Sequence, residues 1–520
     1  MNAEDDTTQQ AKSDSTGVTS SPEPAVTSSV QPVEQAESGE TGVTSPKGPL
    51  TPAERKRRQR ERERQRESEL LYETQDWQLF LDGDTLPQKA GCYPENLSKI
   101  VLKELVDNAL DAGANASIKA DDENHEWIVS DDGPGLDPGN VPNIFCVNRP
   151  LCSSKKKRLP LRGMLGNGLR VVMGAVCAFD GSISVETRGH RMALAVDKAT
   201  GKTLVLSNDI VTSVPGVTVR LSLGRLCEDD AILARNSIVF ADGGTDYRGQ
   251  SSPWWYGVRD LERLLQCVTP ATATVSDVIA DLGLTCDDRR VARSLKKEDI
   301  DIIFKQLRAQ HKPVAPAKIG TIGNRLAGFS GYAISTGEVT TQSGAHIPYA
   351  VEAWANSKRT ERKGHREASV SLVLNKSQTV VNIYARDYYT DAFALSGCGM
   401  SRAVRAKAGI YNIWISIIAP YIPLATDGKE PSLAMFGKGI EEVVRKACGQ
   451  AYRAMEKPER KMNIKEAAYC VMAEAYQLAS GEGAYPAEAR QVMYAARRRI
   501  LELTGHKTLN DVLLHANAAS

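Results

Sequence analysis

The segment Lys103–Ala112 constrains the fold most, because it places polar side chains inside an apolar helical pattern. Leu102, Leu105 and Val106 recur at the spacing of a helix that packs into a core. Glu104 and Asn108 are four residues apart, so their side chains share one helix face. A carboxylate beside an amide oxygen suits the activation of a water and the binding of a hard cation such as Mg²⁺. A surface helix can carry such a pair by chance, so that interpretation also stays open.

Two glycine-containing segments follow this helix. Asp131–Gly135 follows Trp127–Val129, which has the composition of a short buried strand, after one intervening residue. It predicts a tight turn with exposed backbone. An ordinary surface turn is the alternative. Gly163–Gly168 then leads into the apolar run Leu169–Val176. Glycine amides before a helix N-terminus are suited to binding phosphate.

These three segments, in this order, resemble the GHKL ATPases, the superfamily of gyrase B, heat-shock chaperones, histidine kinases and MutL. The resemblance implies ATP and Mg²⁺ as cofactors, with Glu104 as the general base and Asn108 as the metal ligand. It also implies that Asp131 accepts a hydrogen bond from the adenine amino group. The other nucleotide-binding residues implied are Gly133, Gly135, Lys155, Gly163, Leu165, Gly166, Asn167, Gly168 and Thr218.

Two positions in that set are less regular than the rest. The family usually has threonine directly after glycine, whereas here Val217 separates Gly216 from Thr218. Lys155 lies in the basic run Ser153–Arg158, which is either a solvated loop or part of a lid over the triphosphate.

Other phosphate-binding motifs do not fit the glycine segment. No lysine follows Gly163–Gly168 as a Walker-type loop requires. A dinucleotide fingerprint would need these glycines to follow a strand of a βαβ unit.

Composition narrows the remaining possibilities. With 520 residues the chain is long enough for about three domains. The formal net charge of +1 means that any nucleic-acid surface must be local. The 10 cysteines show no Cys-x-x-Cys pair, which argues against a zinc site. We expect a cytoplasmic protein without a membrane anchor, because the sequence shows neither a signal peptide nor a long apolar span.

The amino-acid composition of the N-terminal region changes twice before the predicted helix that contains Glu104. Residues 1–53 are rich in Ser, Thr, Glu and Pro and are expected to be disordered. Residues 54–69 are expected to form a basic arm, either a solvated helix or a segment that contacts phosphate backbones. Residues 70–97 are interpreted as a strap, and residues 98–245 as the ATPase domain with several short strands.

After residue 245 the sequence resembles one particular member of this superfamily. Residues 246–326, with predicted helices that include Val291–Leu295, resemble the helix–two-turn–helix insert in the B-type subunit of topoisomerase VI. Residues 327–440, with a predicted strand over Thr379–Ala385, resemble its α+β transducer domain. The resemblance implies that Lys429 reaches the γ-phosphate of ATP, although an exposed turn lysine is the alternative. Residues 441–520 are expected to be helical, and Tyr494 within them is not expected to be a DNA-cleaving nucleophile.

The sequence therefore predicts an α+β chain with a GHKL (Bergerat) ATPase domain, a helical insert, a transducer and a helical C-terminal region. The resemblance implies an ATP-hydrolysing subunit of a type IIB topoisomerase-like complex. That subunit would dimerise on ATP binding, act on double-stranded DNA and depend on a separate A-type subunit for cleavage. The alternative is a GHKL nucleotide switch or DNA clamp of a mobile element or defence system. A chaperone or repair-type clamp and a scaffold without ATPase activity are further alternatives.

Overall fold

The computed structural model describes most of the chain after residue 50, with several gaps. The described residues are 51–66, 73–113, 115–150, 157–163, 166–362, 364–381, 383–388, 391–425, 430–456, 462–506 and 508. Residues 1–73 and residues 74–520 are two compact units. In the first unit, helix α1 (Pro52–Arg66) carries seven arginines and one lysine against three glutamates. Its described side chains are exposed, as the charge pattern predicts. The expected disordered tail lies outside the described residues except for 51–53.

The second unit begins with a layer of helices over an antiparallel sheet. The helices are α2 (Leu86–Ala90), α3 (Leu97–Asp111), α4 (Val141–Ile144), α5 (Gly168–Ala178) and α6 (Ile232–Asp242). The strands are β1 (Ala116–Asp121), β2 (Glu126–Asp131), β3 (Ser182–Thr187), β4 (His190–Val196), β5 (Thr203–Ile210) and β6 (Val217–Ser222). Their order in this first sheet is β1-β2-β6-β3-β4-β5. Trp127 and Val129 of β2 alternate into a core shared with Val101 and Leu102 of α3.

A helical segment follows the first sheet. It comprises the short strand β7 (Thr245–Asp246) and the helices α7 (Val258–Gln266), α8 (Val275–Asp281) and α9 (Lys297–Gln310). Strand β7 pairs with β8 (Gly320–Thr321), where the segment ends. The helix predicted over Val291–Leu295 is wrong, since only one 3₁₀ turn forms, at Ala292–Ser294. The backbone of Val291 is instead extended and pairs with Thr274.

The second sheet contains the strands β9 (Gly331–Thr340), β10 (His346–Lys358), β11 (Arg366–Leu374), β12 (Ser377–Gln378), β13 (Tyr384–Tyr388), β14 (Ala392–Gly397), β15 (Met400–Arg405) and β16 (Gly409–Ile418). The order is β15-β14-β13-β11-β16-β10-β9, and β12 folds back on β11. Among the described strands, β11 and β16 pair in parallel and their neighbours are antiparallel. The strand predicted over Thr379–Ala385 is wrong for most of its length, because β13 begins only at Tyr384.

One buried carboxylate fixes the start of the second sheet. Glu352 of β10 is fully buried. It accepts hydrogen bonds from the amides of Ile322 (2.6 Å) and Gly323 (2.7 Å) and from the hydroxyl of Tyr332 (2.7 Å). Three donors offset the cost of burying this group, so it ties the end of the helical segment to the sheet.

The C-terminal part of the described chain is helical, as predicted. Helix α10 (Gly437–Glu456) packs on β9 and β10. Helices α11 (Ile464–Ala479) and α12 (Ala489–Thr504) pack on each other around their own small core, which includes Val471 and Ile500. In the part of the chain that the structure describes, no helix combines the length and apolar character needed to cross a membrane.

Candidate active site

Helix α3 carries the two side chains that the sequence singled out. Glu104 is 7% exposed, and Asn108 lies one turn later and is partly exposed. Between them, Asp107 is buried and accepts a hydrogen bond from the ammonium of Lys103 at 2.7 Å. Burial disfavours the charged form of Lys103, but the carboxylates of Asp107 and Glu104 outweigh it and raise its pKa. One helix therefore presents two acids with a buried cation beside them.

The glycine segment contacts this helix at the N-terminus of α5. A Cβ atom added at Gly168 would overlap with the Glu104 carboxylate, so glycine lets this carboxylate lie directly against the backbone of α5. Gly163 and Gly166 have φ angles of +64° and +73°, which favour glycine. Leu165 and Lys155 lie outside the described residues.

The residue before α5 is held by a buried arginine that sequence reasoning missed. Arg170 donates to the carbonyl of Val147 at 2.8 Å and to the carboxylate of Asp76 at 2.8 Å. Its third nitrogen is 3.4 Å from the amide oxygen of Asn167, and its guanidinium stacks 4.1 Å from the ring of Phe80. Because Arg170 is only 3% exposed, these contacts fix the start of α5.

A cavity of about 140 Å³ brings these elements together with the second sheet. From the first part of the unit, it is lined by Lys103, Glu104, Leu161, Arg162, Gly163, Gly166, Asn167 and Gly168. From the second sheet and the loop after it, it is lined by Leu374, Asn375, Ser377, Thr379, Ile422 and Leu424. The sequence predicted the first group in part and did not assign the second group to the site.

Asn375 closes the cavity on the side of the second sheet. Its amide nitrogen donates to the carbonyl of Leu161 at 3.0 Å, and its amide oxygen accepts from the backbone of Ala419 at 2.9 Å. The next residue, Lys376, points away and pairs with Asp246 at 2.6 Å. Lys429, the lysine that sequence reasoning selected for the γ-phosphate, lies outside the described residues.

Asp131 lies at the end of β2, in a separate polar cluster. Its Oδ1 accepts from the amides of Gly133 (2.9 Å) and Val217 (3.3 Å). Within the described residues, this leaves Oδ2 to accept a hydrogen bond from a ligand. Burial raises the pKa of Asp131, although the two amide hydrogen bonds oppose that rise.

A threonine beside this cluster was missed by sequence reasoning. Thr187 is 1% exposed, and its hydroxyl accepts from the amide of Leu136 at 2.8 Å. A Cβ added at Gly135 would lie 3.0 Å from that hydroxyl and 3.2 Å from the carbonyl of Gly216. The turn after β2 therefore packs closely on Thr187. A polar residue at a buried position of a strand is the sequence signal that could have identified Thr187.

The structure does not bring Thr218 into this cluster. Val219 and Leu221 of β6 point into the core beneath the helices, so Thr218 points to the opposite face of the sheet. Its hydroxyl is 3.0 Å from that of Ser130.

Arg158 of the basic run is an anchor rather than a solvated side chain. Its guanidinium pairs with Asp260 at 3.0 Å and stacks 4.1 Å from the ring of Tyr421. Its amide donates to the hydroxyl of Tyr256 at 2.7 Å. Lys157 pairs with the exposed Asp281 at 2.9 Å. This segment is thereby fixed on the helical segment before it reaches the glycines.

The oxygen ligands that the site offers fit a metal ion that is also bound by the phosphates of a substrate. In the described ranges, no group of three His, Cys, Asp or Glu side chains could hold an ion. Asn108, one turn after Glu104 on α3, carries one amide oxygen, although it is not among the residues that line the cavity. Mg²⁺ is commonly bound through few protein oxygens together with substrate phosphates, and this arrangement is compatible with that mode.

Part of the chain is similar to known proteins. Residues 94–223, a quarter of the chain, match the family described as "Histidine kinase-, DNA gyrase B-, and HSP90-like ATPase". No curated protein matches the chain. Solved structures that match include the ATPase region of Saccharomyces cerevisiae topoisomerase II. That match has 11% identity and a TM-score of 0.30, and it covers 69% of this chain and 83% of the other. Residues 94–223 are thus similar to a GHKL ATPase domain, and α3, the turn after β2 and the start of α5 lie within the matched residues.

Proposed function

We propose that this chain hydrolyses ATP in the cavity between α3, the start of α5 and the second sheet. One observation carries the proposal: the carboxylate of Glu104 and the glycine backbone of the α5 N-terminus line the same cavity. A helix N-terminus attracts phosphate, and a buried carboxylate beside it is placed to activate a water.

Each group then has a distinct task. Asp131 accepts a hydrogen bond from the adenine amino group through Oδ2, and Gly133 and Gly135 leave room for the base. Amides around Gly166 and Gly168 bind the phosphates. Glu104 takes a proton from the attacking water as the oxygen–phosphorus bond forms and the bond to ADP breaks. Asn108 would hold Mg²⁺, which neutralises phosphate charge when bound.

The cavity also supports a proposal for what the ATPase drives. Because residues of the helical layer over the first sheet and residues of the second sheet line it, occupation by ATP can alter how these two layers are held together. We assign the first sheet and its helices to an ATPase domain (98–245), the helical segment to an insert (246–326) and the second sheet to a transducer (327–440). The order resembles the B-type subunit of topoisomerase VI, so we propose an ATP-dependent dimer that gates double-stranded DNA for a separate A-type cleavage subunit. Lys429 remains the proposed γ-phosphate contact.

ATP turnover tests the first part of the proposal. We expect Glu104→Gln to lower kcat by about 100-fold or more, with nucleotide binding retained, because the general base is lost. Glu95→Gln is the matched control, since Glu95 is an exposed acid just before α3. Equal turnover in both variants would contradict the assignment of Glu104.

Relaxation of supercoiled DNA tests the second part. The chain is purified together with the product of its neighbouring gene and assayed with ATP, with ADP and with the Glu104→Gln variant. Relaxation that requires ATP and Glu104 supports the topoisomerase proposal. ATP turnover without relaxation would favour a nucleotide switch that passes no strand.

A further inference from the structure

The turn between β11 and β12 reaches across the cavity to the helix of Glu104. Asn375, Lys376 and Ser377 in this turn are each at most 5% exposed. The hydroxyl of Ser377 donates to Oδ2 of Asp107 at 2.6 Å, which joins residues 270 positions apart in the sequence. The second sheet therefore contacts α3 between Glu104 and Asn108.

Asp107 is the centre of a buried group of charges. Its Oδ2 accepts from Ser377 and also from the ammonium of Lys103 at 2.7 Å. Its Oδ1 is 4.0 Å from Nε of Arg162, and Arg162 pairs with Asp111 at 3.2 Å. A buried carboxylate of this kind depends on all its donors, because a lost donor leaves part of its charge uncompensated.

The position of Asp107 determines which carboxylate the ammonium of Lys103 pairs with. Lys103 precedes Glu104 in the sequence, and both residues line the cavity. The charge of Glu104 already acts on the ammonium of Lys103, so if Asp107 turned away, the ammonium would lose its partner at 2.7 Å and be drawn closer to Glu104. A carboxylate paired with a cation is a weaker base, so it would accept a proton from water less readily.

We propose that Ser377 is a positioning residue for hydrolysis: its hydroxyl holds Asp107 against Lys103 and so keeps the Lys103 ammonium hydrogen-bonded to Asp107 rather than drawn closer to Glu104. This inference rests on the proposed ATPase function. It gives the second sheet a part in the chemical step through a hydrogen bond to α3, separate from any contact with the nucleotide.

The neighbouring residue offers a matched control. Gln378, also in β12, accepts a hydrogen bond from the amide nitrogen of Asn236 in α6 at 2.6 Å. This bond likewise joins the second sheet to the helical layer, but it does not involve α3. Removal of the Gln378 side chain therefore weakens the contact between the second sheet and the helical layer and leaves Asp107 in place.

The experiment measures kcat for ATP and the affinity for a non-hydrolysable ATP analogue in the full chain. The variants are Ser377→Ala, Gln378→Ala, Asp107→Asn and the double variant Ser377→Ala with Asp107→Asn. We expect Ser377→Ala to lower kcat about tenfold, which corresponds to one lost charge-assisted hydrogen bond. Its affinity for the analogue should stay within about twofold, and Gln378→Ala should match the wild type.

The double variant separates positioning from general damage. If Ser377 acts through Asp107, adding Ser377→Ala to Asp107→Asn should change kcat no further. Additive losses, or equal losses in Ser377→Ala and Gln378→Ala, would overturn the inference. Melting temperatures of all variants identify any loss that comes from unfolding. Absence of turnover in the wild type would overturn the proposed function itself, an outcome distinct from equal turnover in wild type and Ser377→Ala.

Discussion

Gly168 and Glu104 are in such close contact that the N-terminus of α5 has no room for a side chain against the carboxylate of α3. The contact joins the two segments that the sequence marked independently, an acid on a helix and a glycine before the next helix. It sets the position of the proposed general base relative to the amides proposed to bind phosphate.

We expect Gly168→Ala to reduce ATP turnover by about 100-fold, because the added methyl group would force the Glu104 carboxylate out of place. Steady-state kinetics would measure the loss. Gly449→Ala in α10 is the control, since a Cβ there meets nothing within 4 Å. An unchanged kcat for Gly168→Ala would show that Glu104 need not keep this position.

Asp131→Asn should weaken binding of the adenine nucleotide by about tenfold or more. Asparagine keeps the shape but replaces a charged acceptor by a weaker one. Calorimetric titration with an ATP analogue would measure the affinity, and titration with the matching GTP analogue is the control. Equal weakening for both nucleotides would mean that Asp131 does not recognise the adenine amino group.

The advantage of aspartate over asparagine at position 131 should shrink as the pH falls. Burial raises the pKa of Asp131 above the ordinary 3.8, so the carboxylate gains its proton at a higher pH than an exposed aspartate does. The protonated form is the weaker acceptor, so affinity is retained above the raised pKa and lost below it. Affinities of wild type and Asp131→Asn, compared between about pH 7 and about pH 4.5, would test this. A constant ratio over that range would contradict the assignment.

Arg158→Ala should lower the free energy of unfolding by about 3 kcal/mol, because it leaves the poorly exposed Asp260 without its cation and removes the stacking on Tyr421. Urea denaturation would measure the change. Lys157→Ala is the control next to it, and its loss should stay below about 1 kcal/mol because Asp281 is largely exposed. Similar losses in both variants would contradict the anchoring role of Arg158.

The sequence predicted the local elements of the site well. Helix α3 follows from its apolar spacing, β2 from its short buried run, and the start of α5 from the glycines before an apolar segment. These signals depend on neighbours within a few residues, so they can be recognised in one sequence. Helix α9 and the two C-terminal helices were predicted for the same reason.

The other side of the cavity could not be predicted in this way. Ser377 meets Asp107 only because β12 folds back on β11 near α3, and no local pattern records that contact. An arginine is typical of a protein surface, so nothing local marks Arg170 as buried. Only the fold brings Asp76 and Val147 close enough to bind it. The mistaken helix at Val291–Leu295 has a similar cause, since the pairing of Val291 with Thr274 outweighs its helical spacing.

The buried turn at Asn375 and Ser377 has a consequence for inhibitor design. A compound that fills the end of the cavity proposed to bind phosphate and extends to these two side chains would bridge the helical layer and the second sheet and act as a non-covalent crosslink. Such a compound would gain selectivity from atoms that a nucleotide-mimicking drug directed at Asp131 alone never reaches.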